Sequence, residues 1–182
     1  MARLCASRVG VLLALVAALA VGTLASERSA SSMVSAANQF LGSLDVEQRQ
    51  AASFAFDSVE RTKWHFIPTD MFPRNGLTLK AMTEPQRKLA LALLRTAVSQ
   101  RGYMTATQIM DLENTLRDVE AAARAANGGR GESMVRDPER YFVSVFGTPS
   151  AKGAWGWRVE GHHISLHFTV VNGAFEIGRA HV

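Results

Sequence analysis

A single cysteine, Cys5, stands among the first residues of this 182-residue chain. If the segment carrying it is removed, no disulfide, thiol nucleophile or thiolate metal ligand is left to the remainder. Familiar catalytic signatures are missing as well. There is no Gly-Lys-Ser/Thr phosphate loop, no His-Glu-x-x-His helix, no Gly-x-Ser-x-Gly elbow and no dinucleotide fingerprint, so no cofactor is expected. Excess charge of one sign is also small: 20 Lys and Arg against 16 Asp and Glu give a formal +4, of which Arg3 and Arg8 supply two. With no dense basic stripe interleaved with aromatics, nucleic acid is not an expected partner.

What is present begins with that N-terminus. Arg3 and Arg8 precede an uncharged run from Val9, which closes in Thr23-Leu24-Ala25 before a polar stretch from Ser26. This pattern predicts a signal peptide over residues 1–25, cleaved after Ala25, and a secreted or periplasmic protein with no stable membrane span after cleavage. The alternative, an uncleaved anchor, has an apolar run a little short of the roughly 18 to 20 residues a span needs. At the other end, Glu176-Ile-Gly-Arg-Ala-His-Val182 resembles the translation of a widely used sequencing adapter. Asn172-Gly173 is a strong hairpin signal, yet only Ala174 and Phe175 follow it before that heptapeptide. Residues 26–175 are therefore expected to be the N-terminal part of one domain, incomplete at its C-terminus, with residues 176–182 foreign and Arg179 and His181 outside any site.

Helices come first along the chain. Met33, Val34, Ala37 and Phe40 fall at helical spacing over Ser29 to Phe40, and Gly42 ends that segment. Asp45-Val-Glu-Gln48 is a capping box ahead of a helix to about Arg61, with Phe54, Ala55 and Val59 on its buried side. Thr83-Glu-Pro-Gln86 repeats the device before a helix that buries Leu89, Leu93 and Ala97, closed by Gly102. The likeness of the two starts fits an internal repeat or one capping rule used twice. A long amphipathic helix follows from about Thr105 to Ala126, with Ile109, Leu112, Leu116 and Val119 inward and Asp111, Glu113, Arg117, Asp118 and Glu120 solvated. Between the earlier helices, Trp64-His65-Phe66-Ile67 is too bulky and β-prone for a solvent loop and predicts a short strand or extended cover over the core. Asn127 to Ser133 reads as a flexible connector.

From Tyr141 to Gly173, three alternating runs are separated by turn signals at Gly147-Thr148-Pro149, Glu160-Gly161 and Asn172-Gly173. These predict an antiparallel β-meander with the helices on one face, an α+β fold. A turn at Glu160-Gly161 sets Arg158 opposite His163 and Trp157 opposite Ile164. One face then holds Trp155, Trp157, Val159, His162, Ile164, Leu166, Phe168 and Val170, the face to bury. The other holds Arg158, His163, Ser165, His167 and Thr169 opposite only Ala154 and Gly156, a shallow polar groove. A slip of one residue would exchange the faces.

That groove is the expected site. An imidazole beside a guanidinium stays neutral near pH 7, which suits His163 as general base; Arg158 would clamp an anion, Glu160 would orient the base, and Ser165 and His167 would contact a small-molecule ligand. No metal is expected, because His163 and His167 lie roughly 13 Å apart along a strand and His162 points to the other face, where it reads as a core histidine bonded to a carbonyl. Trp64, Trp155, Trp157 and Phe168 read as core before they read as a sugar shelf. Two function classes follow: a hydrolase-like acid/base enzyme, or a noncatalytic extracytoplasmic binding module for an acidic or sugar-like ligand.

Several segments carry a resemblance: Arg-Thr-Lys-Trp-His-Phe-Ile-Pro (Arg61 to Pro68), Gln86 to Leu94, Ser99 to Tyr103, and above all Asp137 to Val171 with its Gly-Trp-Arg-Val-Glu-Gly-His-His block. Over Phe40 to Val171 the chain resembles the bacterial family catalogued as domain of unknown function 3500. The resemblance implies a longer protein and no assigned chemistry.

Overall fold

The structure, a computed structural model, describes residues 29–130 and 134–181, with side chains to Glu176. The predicted signal peptide and part of the predicted connector lie outside the described residues. Helix α1 covers residues 29–42 and buries Ala30, Met33, Ala37 and Phe40. Helix α2 (Val46–Ala52) opens on the Asp45 capping box, Asp45 accepting from the Gln48 amide at 2.8 Å while Gln48 Oε1 accepts from the Asp45 amide. Helix α3 (Glu84–Ala97) opens the same way, the Thr83 amide donating to Gln86 Oε1. The two capping glutamines also bond each other, Gln86 Nε2 donating to Gln48 Oε1 at 2.7 Å and Gln48 Nε2 to Gln86 Oε1 at 3.1 Å. One capping rule used twice thus places two helix starts side by side.

The second helix stops earlier than its pattern suggests. After Ala52 the chain becomes strand β1 (Ser53–Phe54), which pairs in parallel with strand β3 (Phe142–Phe146), and the Phe54 ring meets Phe146 at 5.4 Å. Tertiary pairing overrides the local helical period, and Val59, expected inward, is exposed in a short 3₁₀ turn (Val59–Thr62). Strand β2 (Leu77–Thr78) pairs antiparallel with the other half of β3 (Phe142–Phe146). The meander continues through β4 (Ala154–Gly161), β5 (Ile164–Val171) and β6 (Ala174–His181), giving a six-stranded mixed sheet among the described residues, ordered β1-β3-β4-β5-β6 with β2 also on β3. Strand β6 runs beyond the two residues the sequence reading gave it. An edge strand is held by backbone groups that almost any sequence supplies, so its pairing does not bear on where residues 176–182 come from.

The α+β architecture holds. Trp155, Trp157, Val159, Ile164, Leu166, Phe168 and Val170 form one core with α1, Leu93 and Leu94 of α3, and Ala106 and Met110 of helix α4 (Gln100–Ala126). Ser99 caps α4 by accepting from the Gly102 amide, so Gly102 lies in its first turn instead of ending α3. The inward face of α4 is Ala106, Met110 and Glu113; Leu112 and Val119, expected inward, are exposed, and Glu113, expected solvated, is buried.

The β4–β5 hairpin keeps the expected faces but not the expected register. Gly161 pairs with Ile164, Glu160 with Ser165 and Arg158 with His167, so the turn falls at His162-His163, and His163 takes the left-handed conformation (φ 60°). The sequence misleads because Glu160-Gly161 looks like a hairpin turn. Gly161 is instead the last paired residue, and a Cβ there would overlap the Tyr141 ring. The shift is two positions on each strand, which preserves side-chain parity and hence both faces.

Candidate functional site

The polar face of the hairpin is not a groove. Residues 56–76 cross it as an irregular strap, and Arg158, Glu160 and Ser165 beneath are fully buried. Two arginines hold the strap through its carbonyls, which have no strand partners of their own. Arg158 Nη1 donates to the carbonyls of Glu60 (2.9 Å) and Lys63 (3.0 Å), and its Nη2 reaches Glu60 Oε1 at 2.9 Å and Glu160 Oε1 at 2.8 Å. Arg74 donates to the carbonyls of His65 (3.1 Å) and Ile67 (2.5 Å) and lies near Glu160. The His65 amide donates to Glu160 Oε2 at 3.0 Å, and Asn75 donates to Glu60 at 2.8 Å.

Burial governs the titration of this layer. It pushes Glu160 above the usual carboxylate range, against the pull of Arg158, the His65 amide and Arg74. His167, opposite Arg158, is pushed down to about 4, chiefly by burial and further by Arg158 and Arg61. An imidazole beside Arg158 is kept neutral, as expected, but it is His167. Glu160 Oε1, Ser165 Oγ, Arg158 Nε and His167 Nε2 are buried without an aligned hydrogen-bond partner, so the layer is crowded and incompletely satisfied.

His163 stands apart from these four. It is exposed at the hairpin tip, its amide donating to the Phe66 carbonyl at 2.8 Å, and its ring lies 4.0 Å from that of His162. The expected grouping of His163, Arg158 and Glu160 is therefore not formed, because the two-position shift moves His163 off the strand.

The more chemically capable cluster sits on the other side of the turn. His162, expected in the apolar core against a carbonyl, turns toward α4 and places Nδ1 2.5 Å from Glu113 Oε1. Arg136 lies beside the pair, its Nη1 3.3 Å from His162 Nδ1 and ion-paired at 3.8 Å with Glu113 Oε2, while its Nη2 donates to Glu120 at 2.7 Å. The Tyr141 hydroxyl donates to the His162 carbonyl at 2.8 Å and fixes the turn. Glu113 can only accept and Arg136 can only donate, so both cannot bond Nδ1 of a neutral imidazole; the far shorter Glu113 contact places the proton on Nδ1, leaves Nε2 as the basic nitrogen, and leaves Arg136 held by the carboxylates of Glu113 and Glu120. Asp70 ties Val135 and Arg140 together beside this cluster, accepting from the Val135 amide (2.8 Å) and from Arg140 (2.6 Å); these bonds hold its carboxyl below the usual range. Pro68, Thr69, Val135, Arg136, Arg140 and Tyr141 surround a cleft of about 10 Å³ over Glu113 and His162, close to the space of one water molecule.

Glu113 is expected on the solvated face of α4 but is buried, and no sequence pattern marks Arg136 or Tyr141 as site residues. The available signal was the spacing of Ala106, Met110 and Glu113, which puts a carboxylate in line with two core residues. Among the described residues no group of three or more acidic, histidine or cysteine side chains could hold a metal ion, and no helix is long and apolar enough to cross a membrane.

No curated protein matches the chain. No solved structure matches it. The model of the family described as "Protein of unknown function (DUF3500)" matches residues 26–180, nearly the whole chain. The resemblance read over Phe40 to Val171 thus lies within the matched residues, and the chain belongs to the DUF3500 family.

Proposed function

We propose that the protein is an extracytoplasmic enzyme of hydrolase type, working by acid/base chemistry on a small-molecule ligand at the cleft between α4 and the tip of the β4–β5 hairpin. The observation that carries this reading is the His162–Glu113 pair, 2.5 Å apart, beneath a water-sized cleft. Its chemistry follows from the tautomer. A water bonded to His162 Nε2 gives up a proton as its oxygen bonds to an electrophilic carbon or phosphorus; the imidazolium, paired with Glu113, then returns that proton to the leaving group. Glu113 and Arg136 are positioning residues. His163, exposed beside His162, contacts the ligand at the mouth, while Arg158, Glu160, Ser165 and His167 keep the strap in place and support the turn. Secretion is part of the same proposal, and the family match beginning at residue 26, directly after the expected cleavage point, supports it.

The test is turnover by the intact protein of chromogenic carboxylic-ester, phosphate-ester and glycoside substrates. Hydrolysis of one class, lost in His162→Gln and reduced about 10²-fold or more in Glu113→Gln, is the expected result. Glu113→Gln keeps an acceptor for Nδ1, so the variant should stay folded, its melting temperature lowered by only about 2–8 °C, and a far larger loss of turnover separates chemistry from folding. Hydrolysis indifferent to both substitutions would sink the reading. No hydrolysis of any class, with a melting temperature raised by an acidic or sugar ligand, would favour the binding module instead.

A further inference from the structure

We infer that Pro68 to Met71 form a flap over the cleft, hinged on Arg74 and latched by Asp70, which swings aside to admit the ligand. The flap rests on the cleft being the working site. At about 10 Å³ the cleft holds one water and nothing larger, so a ligand enters only if a wall moves. The α4 wall is fixed by Ala106 and Met110 in the core, and the wall at Tyr141 by that residue's burial and its bond to the His162 carbonyl. Arg136 is held by Glu113 and Glu120, and Asp137 by Lys80. Pro68 and Thr69 form the wall that is left, and no residue from Pro68 to Met71 belongs to the core.

Arg74 clasps both ends of this segment. Its guanidinium donates to the His65 and Ile67 carbonyls before the flap and to the Phe72 carbonyl after it (3.2 Å), and reaches the Gly161 carbonyl of the sheet at 3.4 Å. The His65 and Phe72 rings meet across the same base at 4.6 Å. Pro68 and Pro73 restrict the backbone at Ile67 and Phe72, and the Met71 amide donates to the Pro68 carbonyl at 3.0 Å, so the four residues move as a unit. Among the described residues, every hydrogen bond and ion pair from Pro68 to Met71 to the rest of the chain is made by Asp70, to the Val135 amide and to Arg140. Hinge and latch differ in burial. The Arg74 side chain is fully buried, whereas those of Arg140 and Asp70 keep 26% and 34% of their surface. Water therefore replaces the latch bonds at small cost and the hinge bonds at a large one. Met71, 62% exposed, adds little packing to hold the flap shut.

Trace acylation of the full chain by diethyl pyrocarbonate, located by fragment-ion mass spectrometry, reads the flap without turnover. Three histidines calibrate it: His162 lies under the flap, His163 is exposed at the hairpin tip, and His167 is under the strap. In the wild type His162 should react far more slowly than His163. Asp70→Ala removes a charge-assisted hydrogen bond and an ion pair, and should raise the His162 rate about tenfold with His163 and His167 unchanged. Asp70→Asn keeps an acceptor for the Val135 amide and should raise it less. Arg140→Gln breaks the latch from the other side and replaces Asp70→Ala if that variant loses helicity. A His162 rate indifferent to the broken latch overturns the flap. A rise of equal size at His167 overturns the hinge at Arg74, since the whole strap would then be leaving the sheet. Because the readout is acylation, absence of turnover on every substrate overturns the hydrolytic reading alone, and an ungated His162 overturns the flap alone.

Discussion

Two ionic clusters lie on opposite sides of the His162-His163 turn, and they differ in one physical respect. Under the strap, the Arg158 and Glu160 side chains are entirely shut from solvent. In the cleft, the His162 and Arg136 side chains keep 11% of their surface and the Glu120 side chain 32%. Buried ion pairs gain Coulomb energy only against a large desolvation cost, so the first cluster holds one arrangement and is poorly suited to a reaction cycle that changes charge. The second retains enough solvent contact for a proton to enter and leave. A rich set of titratable residues is therefore a poor guide to chemistry until its access to solvent is known.

The strongest way to break this comparison is Arg158→Ala. It should cost about 3–5 kcal/mol, because Glu60 and Glu160 are left buried beside an empty site, and urea denaturation would measure it. A loss under 1 kcal/mol would show that the strap does not depend on this staple.

Acid titration is the next test. His167 has its folded value depressed to about 4 from 6.5, so the unfolded chain binds the proton more readily. The stability this neutral imidazole supports is complete above pH 6.5 and is lost as pH falls through 6.5 towards 4, by on the order of 2 kcal/mol. Glu160, its value raised by burial, acts in the opposite sense at the acid end. The two separate when melting temperatures of wild type and His167→Gln are compared across that window: the slope should flatten in the variant, and an unchanged slope would assign it elsewhere.

Glu113→Gln sharpens the contrast from the other side. It should lower stability by only about 1–2 kcal/mol, since an acceptor remains for His162, and equilibrium unfolding beside Arg158→Ala would rank the two clusters directly. The smallest effect belongs to Asp70→Asn. The Arg140–Asp70 pair is partly exposed, and its removal should change stability by less than about 1 kcal/mol. A larger loss in thermal melts would mean that Asp70 secures the strap end and not merely the cleft rim.

These clusters were unequally legible. The polar face of the hairpin could be read from alternation alone, and Arg158, Glu160, Ser165 and His167 do share it. Its burial could not, because the strap that covers it comes from residues 56–76 and alternation carries no information about a partner so far away in the chain. Glu113 was misread for a related reason: α4 offers two apolar stripes, and periodicity cannot say which one meets the core.

By itself, the sequence determined the helix starts at Asp45 and Thr83, the turn at Asn172-Gly173 and the division of β4 and β5 into two faces, since each follows from groups within a few residues of one another. Only the tertiary structure decided where α2 ends, which residues form the β4–β5 turn and which histidine meets a carboxylate. Phe54 becomes strand because β3 is there to pair with it, Gly161 stays in register because the Tyr141 ring needs its space, and His162 finds Glu113 because α4 packs with that side inward. Each is a contact between segments distant in the chain, with a free energy that no local pattern contains.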